Sequence, residues 1–215
     1  MKVIGITGGI GSGKSVVCNI FRQFGIPVYD ADTEAKSLYE KYPELCEAVR
    51  KQISENAFDQ TGKLDRKKLS EIIFQNPEKL KILNGLIHPL VKIDFLEWKK
   101  KFPESAYVIK EAAILFESGA DSDCDKIITV VAPVELRIQR VRERDRKTKI
   151  EIESIMERQS GDEEKIHRSD FVIRNDEKEL ILPQVLAIHE ALLKEVNEKL
   201  NLVIDPFLLE KENVE

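Results

Sequence analysis

Residues 8–15, GGIGSGKS, constrain this chain more than any other stretch. They fill the pattern G-x-x-x-x-G-K-[ST] and follow directly on the apolar run KVIGIT at residues 2–7. That run is short, β-rich and bounded by glycines, so it predicts a buried strand. Val16, Val17, Ile20, Phe21 and Phe24 then recur at helical spacing over residues 12–24, and Gly25 stands where a glycine would close the helix. Strand, glycine-rich loop and helix in this order form the context a phosphate-binding loop requires. Such a loop points backbone N–H groups inward, and Gly8, Gly9, Gly11 and Gly13 carry no side chains to block a close approach. The helix start near Gly13 adds its positive end. Lys14 has the reach for β- and γ-phosphates, and the Ser15 hydroxyl suits Mg²⁺. The dinucleotide pattern G-x-G-x-x-G fails here, because its third glycine position is Lys14 counted from Gly9 and Val16 counted from Gly11.

The rest of the chain alternates strands and helices. A second short strand is predicted over residues 27–29, ending at Asp30-Ala31-Asp32, with a helix from near Thr33. Residues from about 40 to 105 differ: they hold helical segments and no convincing strand, punctuated by Pro43, Gly62, Pro77 and Pro89. Their regular apolar positions (Leu69, Ile72, Ile73; Leu80, Leu83, Leu86, Ile87, Leu90) predict a helical insertion rather than a linker. Strands are expected from Tyr107, over 126–132 and over 171–173. Pro133 is placed at the first position of a helix that runs through the basic stretch 137–149. A last helix is expected over 178–200, with Val185, Ile188, Leu192 and Val196 on one face; residues 201–215 form a tail with no reading. This alternation predicts a five-stranded parallel sheet flanked by helices on both faces. Ligands of such sheets bind at the carboxyl ends of the strands, which gathers residues 8–15, 30–32, Phe116-Glu117 and Arg174-Asn175.

Several side chains in those places suit phosphoryl transfer. A carboxylate of Asp30 or Asp32 can take the proton of a hydroxyl nucleophile, or order water around a metal; the competing role for Asp32-Thr33 is a helix cap. Arg140 and Arg144 lie four apart on one face of the basic helix. Arginines on a closing helix would neutralise charge on a transferred phosphoryl group, whereas a solvated face paired with Glu143 and Asp145 is the plain alternative. His88-Pro89 is expected to break its helix and expose the imidazole. Arg66 and His88 both fall in the helical insertion, where an acceptor would have to bind.

Composition sets outer bounds. The 215 residues, 42% of them hydrophobic, fit one domain with a sizeable insertion over residues 1–200. The formal net charge of −5 argues against nucleic-acid binding in bulk. No apolar run is long enough for a bilayer, and glycines interrupt MKVIGITGG too early for a signal peptide. Cys18, Cys46 and Cys124 are odd in number and in no metal-ligand spacing, which suggests reduced thiols and a cytoplasmic protein.

Over nearly all of residues 1–200 the chain resembles the dephospho-CoA kinase family. The resemblance is carried by IGITGGIGSGKS at 4–15, F..FGIPVYDAD at 21–32, GKLDRKKL at 62–69, LNGLIHPLV at 83–91, ILFESG at 114–119, Arg140 with Arg144-Asp145, ERQ at 157–159 and SDFVIRN at 169–175. It implies that ATP, with Mg²⁺ on Ser15, phosphorylates the ribose 3′-hydroxyl of dephospho-CoA, the last step of coenzyme A synthesis. Carried over by position, Asp32, Lys14 and Arg140 would be catalytic. Gly9, Gly11, Ser12, Gly13, Lys14, Ser15, Val16, Arg144 and Asn175 would hold the nucleotide. Asp32, Arg66, His88, Phe116 and Glu117 would bind the acceptor. The implied layout is a P-loop core over 1–40 and 105–200, a CoA-binding insertion over about 41–104 and a lid over about 137–160. Only ATP and dephospho-CoA are implied as partners, with no nucleic acid, membrane or obligate protein partner. Three departures stand out: Val16 replaces the family's usual Thr, Ala113-Ile114-Leu115 replaces Pro-Leu-Leu, and Ser169-Asp170 replaces Ala-Asp. Another small-molecule P-loop kinase is the alternative enzyme, and a nucleotide-dependent switch the alternative class. The arginine-rich helix in the same chain and the helical insertion favour a transferase that closes over its substrates.

Overall fold

The computed structural model describes residues 1–208, and side chains through residue 198. The central strand β1 (Lys2–Thr7) is buried along nearly its whole length, which its unbroken apolar sequence requires. With β2 (Val28–Asp30), β3 (Tyr107–Glu111), β4 (Lys126–Val131) and β5 (Phe171–Arg174) it forms one sheet in the order β2-β3-β1-β4-β5. β1 pairs in parallel with β3 and β4, so that Ile4 faces Ile109 on one side and Lys126 on the other. β4 pairs in parallel with β5.

One face of the sheet is covered by α1 (Lys14–Gln23) and α9 (Ile181–Leu208). Val17, Cys18 and Phe21 of α1 and Val185, Ile188 and Leu192 of α9 close on Ile4, Ile6, Ile109, Ile128 and Val130. The segment after β3 lies hard against β1: a methyl group on Gly5 would stand 2.8 Å from Leu115 Cδ2 and 3.0 Å from Cys124 Sγ. Burial pushes the Cys124 thiol up to about 11, so it behaves as a small apolar group rather than a nucleophile. All three cysteines are free thiols.

Chain contacts divide the protein into two compact units, Met1–Val28 with the chain from Phe102 onward, and Tyr29–Lys101. The second unit holds α2 (Ala31–Lys41), α3 (Pro43–Gln52), α4 (Arg66–Phe74) and α5 (Pro77–Lys99) around its own core of Leu38, Leu45, Val49, Ile53, Leu69 and Leu83. Three of these four helices start at a side-chain cap. Asp30 caps α2 by accepting the Thr33 N–H at 2.9 Å, Asp65 caps α4, and Asn76 caps α5 with Pro77 following.

Four expectations needed correction. The cap before Thr33 is Asp30, not Asp32, because β2 stops at Asp30 and the chain turns into helix at once. Helix α5 runs through His88-Pro89 instead of breaking there. The carbonyl crowded by a helical proline belongs to the residue four earlier, and that residue is Gly85, whose backbone adapts most readily. The basic stretch is two helices, α6 (Val134–Asp145) and α7 (Lys149–Met156), with Pro133 as the cap residue. Arg146 adopts a left-handed φ of 54° between them, and Thr148 with Glu151 forms a capping box that starts the second. A further short helix, α8 (Asp162–His167), precedes β5. The final helix starts at Ile181 and continues to Leu208, past the expected end at 200; the rest of the tail lies outside the described residues. Among the described residues no helix is long and apolar enough to cross a membrane.

α9 is tied to the sheet by His189, whose Nδ1 lies 2.6 Å from the Tyr107 hydroxyl while its ring stacks on Phe24. Burial holds this imidazole below its ordinary value, against a small opposing pull from Glu190. The unfolded chain therefore takes up a proton that the folded chain resists. The stability this group contributes is complete above the usual imidazole range and is lost as pH falls through it. Urea unfolding near pH 7.5 and pH 5.5 should show a smaller drop in midpoint for His189→Gln than for the parent chain.

Candidate active site

The loop between β1 and α1 is folded onto itself and onto three neighbours. Ser12 N–H donates to the Gly9 carbonyl at 3.1 Å, and Gly13, at φ 97°, caps α1 with no side-chain bond to the helix. A helix that starts without a side-chain cap leaves its first N–H groups to an incoming anion. The glycines are demanded first by the protein itself. A methyl group at Gly9 would stand 2.3 Å from Arg137 Nη2, and one at Gly13 would stand 2.0 Å from Asn175 Nδ2. Gly8 is likewise pressed on the Val130 carbonyl and Gly11 on the Arg137 carbonyl. The loop thus lies flat on β4, α6 and the end of β5.

Lys14 Nζ donates to the Gly8 carbonyl at 3.1 Å and stands 3.8 Å from Glu111 Oε1. Glu111 closes β3 beside β1, a buried carboxylate at the sheet edge. Sequence reasoning passed over it; the available signal was an acid at the end of the apolar run YVIKE. The Ser15 side chain is exposed on the first turn of α1. Val16 N–H donates to the Gly13 carbonyl at 3.0 Å, and its side chain is exposed.

Asn175 joins the loop to the basic helix. Its backbone N–H donates to Val131 O, and its Nδ2 donates to Ser12 O at 2.8 Å. Arg140 donates to both the carbonyl and Oδ1 of Asn175 at 3.2 Å, and to Glu177 Oε1 at 3.0 Å. Arg140, Asn175 and the loop therefore form one assembly. Arg144 does not join it: its guanidinium makes two bonds to the adjacent Asp145, at 2.7 and 2.8 Å, near the exposed end of α6.

Phe116 and Glu117 are held inside the same unit. The Arg168 guanidinium lies 4.2 Å from the Phe116 ring centre. Glu117 Oε1 accepts the Ser160 N–H at 2.6 Å and pairs with the fully buried Lys165 ammonium at 3.2 Å. In the helical unit Asp32 is exposed on the first turn of α2. Arg66 donates to the Lys36 carbonyl at 2.8 Å, one helical turn beyond Asp32, and stands 3.6 Å from Glu40. His88 lies on α5, which packs against both α2 and α4.

The residues fit a polyphosphate. Thr7 Oγ1 and Ser12 Oγ, at the end of β1 and inside the loop, are buried with no hydrogen-bond partner, so two hydroxyl donors lack acceptors there. Ser15 and Glu111 are oxygen donors of the kind Mg²⁺ takes alongside phosphate and water.

Glu117 carries a structural charge whatever else it does. Glu117→Gln leaves Lys165 buried without a counter-ion and should cost about 3 kcal/mol, seen as a lowered unfolding midpoint. Adding Lys165→Met should recover most of that loss.

Comparison with known proteins agrees with this geometry. The family model described as dephospho-CoA kinase matches residues 2–180. The dephospho-CoA kinase of Fusobacterium nucleatum is 42% identical over 176 residues, covering 82% of this chain and 90% of the relative. That of Bacteroides fragilis is 37% identical over 198 residues, covering 90% and 94%. Among solved structures, TT1252 from Thermus thermophilus superposes with a TM-score of 0.77 at 33% identity, covering 90% of this chain and 97% of that one. The dephospho-CoA kinase from Campylobacter jejuni gives 0.65 at 29% identity, covering 90% and 98%. With the glycine loop seated on a parallel sheet and the match running through both units, the chain belongs to the dephospho-CoA kinase family.

Proposed function

We propose that this chain transfers the γ-phosphoryl group of ATP to the ribose 3′-hydroxyl of dephospho-CoA, giving CoA and ADP. The observation that carries this reading is that the family match spans residues 2–180, the helical unit as well as the nucleotide loop. A match confined to the loop would have supported nucleotide binding alone.

The roles are those the family resemblance implies, and the geometry around the loop supports several of them. The backbone of residues 9–15 would cradle the phosphates, with the positive end of α1 behind them. Lys14, whose ammonium donates to the Gly8 carbonyl and stands near Glu111, would turn to the β- and γ-phosphates when they bind. Mg²⁺, when bound, neutralises phosphate charge, and Ser15 with Glu111 through water would hold it. Arg140 would place positive charge beside the transferred group, oriented by Asn175. By the family resemblance, Asn175 would also lie near the adenine. Asp32 would accept the proton of the 3′-hydroxyl as that oxygen attacks phosphorus in line. Arg66, anchored one turn away on α2, and His88 on α5 would bind the acceptor in the helical unit. Arg144, once released from Asp145, and the segment around 137–160 would close over the nucleotide and exclude water. A cytoplasmic location suits these substrates and the free thiols.

Asp32→Asn should leave ATP affinity nearly unchanged while lowering kcat by about 10²-fold or more. Full turnover by that variant would remove Asp32 from the base role. Lys14→Ala should weaken ATP binding and slow transfer together, because the ammonium serves both ground and transition states. The acceptor is tested by ADP release over a panel of dephospho-CoA, adenosine, AMP and water. Turnover confined to dephospho-CoA is expected; turnover with adenosine or AMP but none with dephospho-CoA would overturn the assignment.

A further inference from the structure

Arg137 is the most buried arginine side chain among the described ion pairs, only 6% exposed, on the inward face of α6. Its Nε donates to the Ile10 carbonyl at 3.0 Å. Its Nη1 is held by both carboxylate oxygens of Asp162, at 3.1 and 2.9 Å. The opposite polar group of the same residue is also taken: Ile10 N–H donates to Gln159 Oε1 at 2.8 Å. Gln159 in turn donates to the Ala113 carbonyl at 3.3 Å, beyond the end of β3. Ile10 itself packs its side chain on Ile138, Val141 and Ile152. One residue in the middle of a phosphate loop is therefore fixed at its carbonyl, its amide and its side chain. All three holds come from the segment that runs from α6 to the start of α8.

We propose that Arg137 and Gln159 are positioning residues for nucleotide binding. They clamp Ile10 so that the loop is set before ATP arrives, and Asp162 locks the guanidinium that does half of the clamping. The inference rests on the reading of residues 8–15 as the ATP loop. The physical reason is entropic. A loop of this glycine content has many conformations when free, and a ligand that must order it binds more weakly. A charged donor on the carbonyl restrains the peptide more strongly than a neutral one. Neither side chain needs to touch ATP for this to work. The packing adds geometric force, since Gly9 sits against Arg137 Nη2 so closely that guanidinium and loop must be placed together.

The test compares Arg137→Met, Arg137→Lys, Asp162→Asn and Gln159→Leu with the parent chain. It measures KM for ATP, KM for dephospho-CoA, kcat, and the rise in melting temperature on adding ADP. Arg137→Met should raise KM for ATP by about tenfold or more, the worth of one charge-assisted hydrogen bond. KM for dephospho-CoA should stay within about threefold, and the ADP-induced rise in melting temperature should shrink. Arg137→Lys should fall between, because one ammonium cannot serve Ile10 and Asp162 with the same fork. Asp162→Asn and Gln159→Leu should each raise KM for ATP by a smaller factor. A folded Arg137→Met with KM for ATP within twofold of the parent would overturn the proposal. So would a loss confined to melting temperature, with the ADP-induced rise intact, because that is the signature of a structural role alone. Should Arg137→Met fail to fold, Gln159→Leu, which leaves the buried ion pair in place, takes over the test: its smaller rise in KM for ATP should still exceed twofold, and a folded Gln159→Leu within twofold of the parent would overturn the proposal. If the parent chain neither binds ADP nor turns over ATP, it is the reading of the loop that fails, and the two failures are distinguishable.

Discussion

The closeness of the glycine loop to its own protein is the constraint on which the rest depends. Side chains at Gly9 and Gly13 are excluded by Arg137 and Asn175 at distances well inside van der Waals contact. The loop can therefore exist in this form only where α6 and the end of β5 meet the end of β4. Its shape is a tertiary property, built from three elements more than 100 residues downstream in sequence. Phosphate affinity is usually assigned to the loop's own backbone; here the backbone is held in place by what lies beneath it.

Electrostatics follow the same plan. The chain is acidic overall, yet its cations near the loop each stand beside an acid or a carbonyl: Arg137 with Asp162, Arg140 with Glu177 and Asn175, Lys14 with Glu111 and Gly8. The Arg137 and Arg140 guanidiniums are each fixed in direction by three hydrogen bonds. The Lys14 ammonium stands 3.8 Å from Glu111 Oε1, beyond direct hydrogen-bond distance. A site of this kind keeps its positive charge in store without unpaired buried ions.

Much of this was legible in the sequence, because local chemistry decided it. Residues 2–15 announce strand, loop and helix through apolar run, glycines and Lys-Ser, and the helical character of residues 40–105 follows from its apolar spacing. What was not legible depended on partners distant in the chain. Arg137 reads as one of several arginines on a solvated helix until α6 is placed under the loop; the burial is tertiary. Glu117 reads as an acceptor ligand by resemblance, whereas its carboxylate also neutralises a buried lysine that no local pattern reveals. The continuous α5 was hidden by the general rule that proline ends helices, which Gly85 four residues earlier relaxes. The division of the basic stretch turned on Arg146 taking a left-handed conformation, which a side chain of that type seldom adopts.

The most direct measurement is a crystal structure with a non-hydrolysable ATP analogue and dephospho-CoA bound together. The account predicts the triphosphate in the cradle of residues 8–15, with Ile10 still held by Arg137 and Gln159. It also predicts the ribose 3′-hydroxyl presented to Asp32. A triphosphate bound elsewhere, a loop that has left Arg137 to receive it, or a different hydroxyl at Asp32 would contradict it.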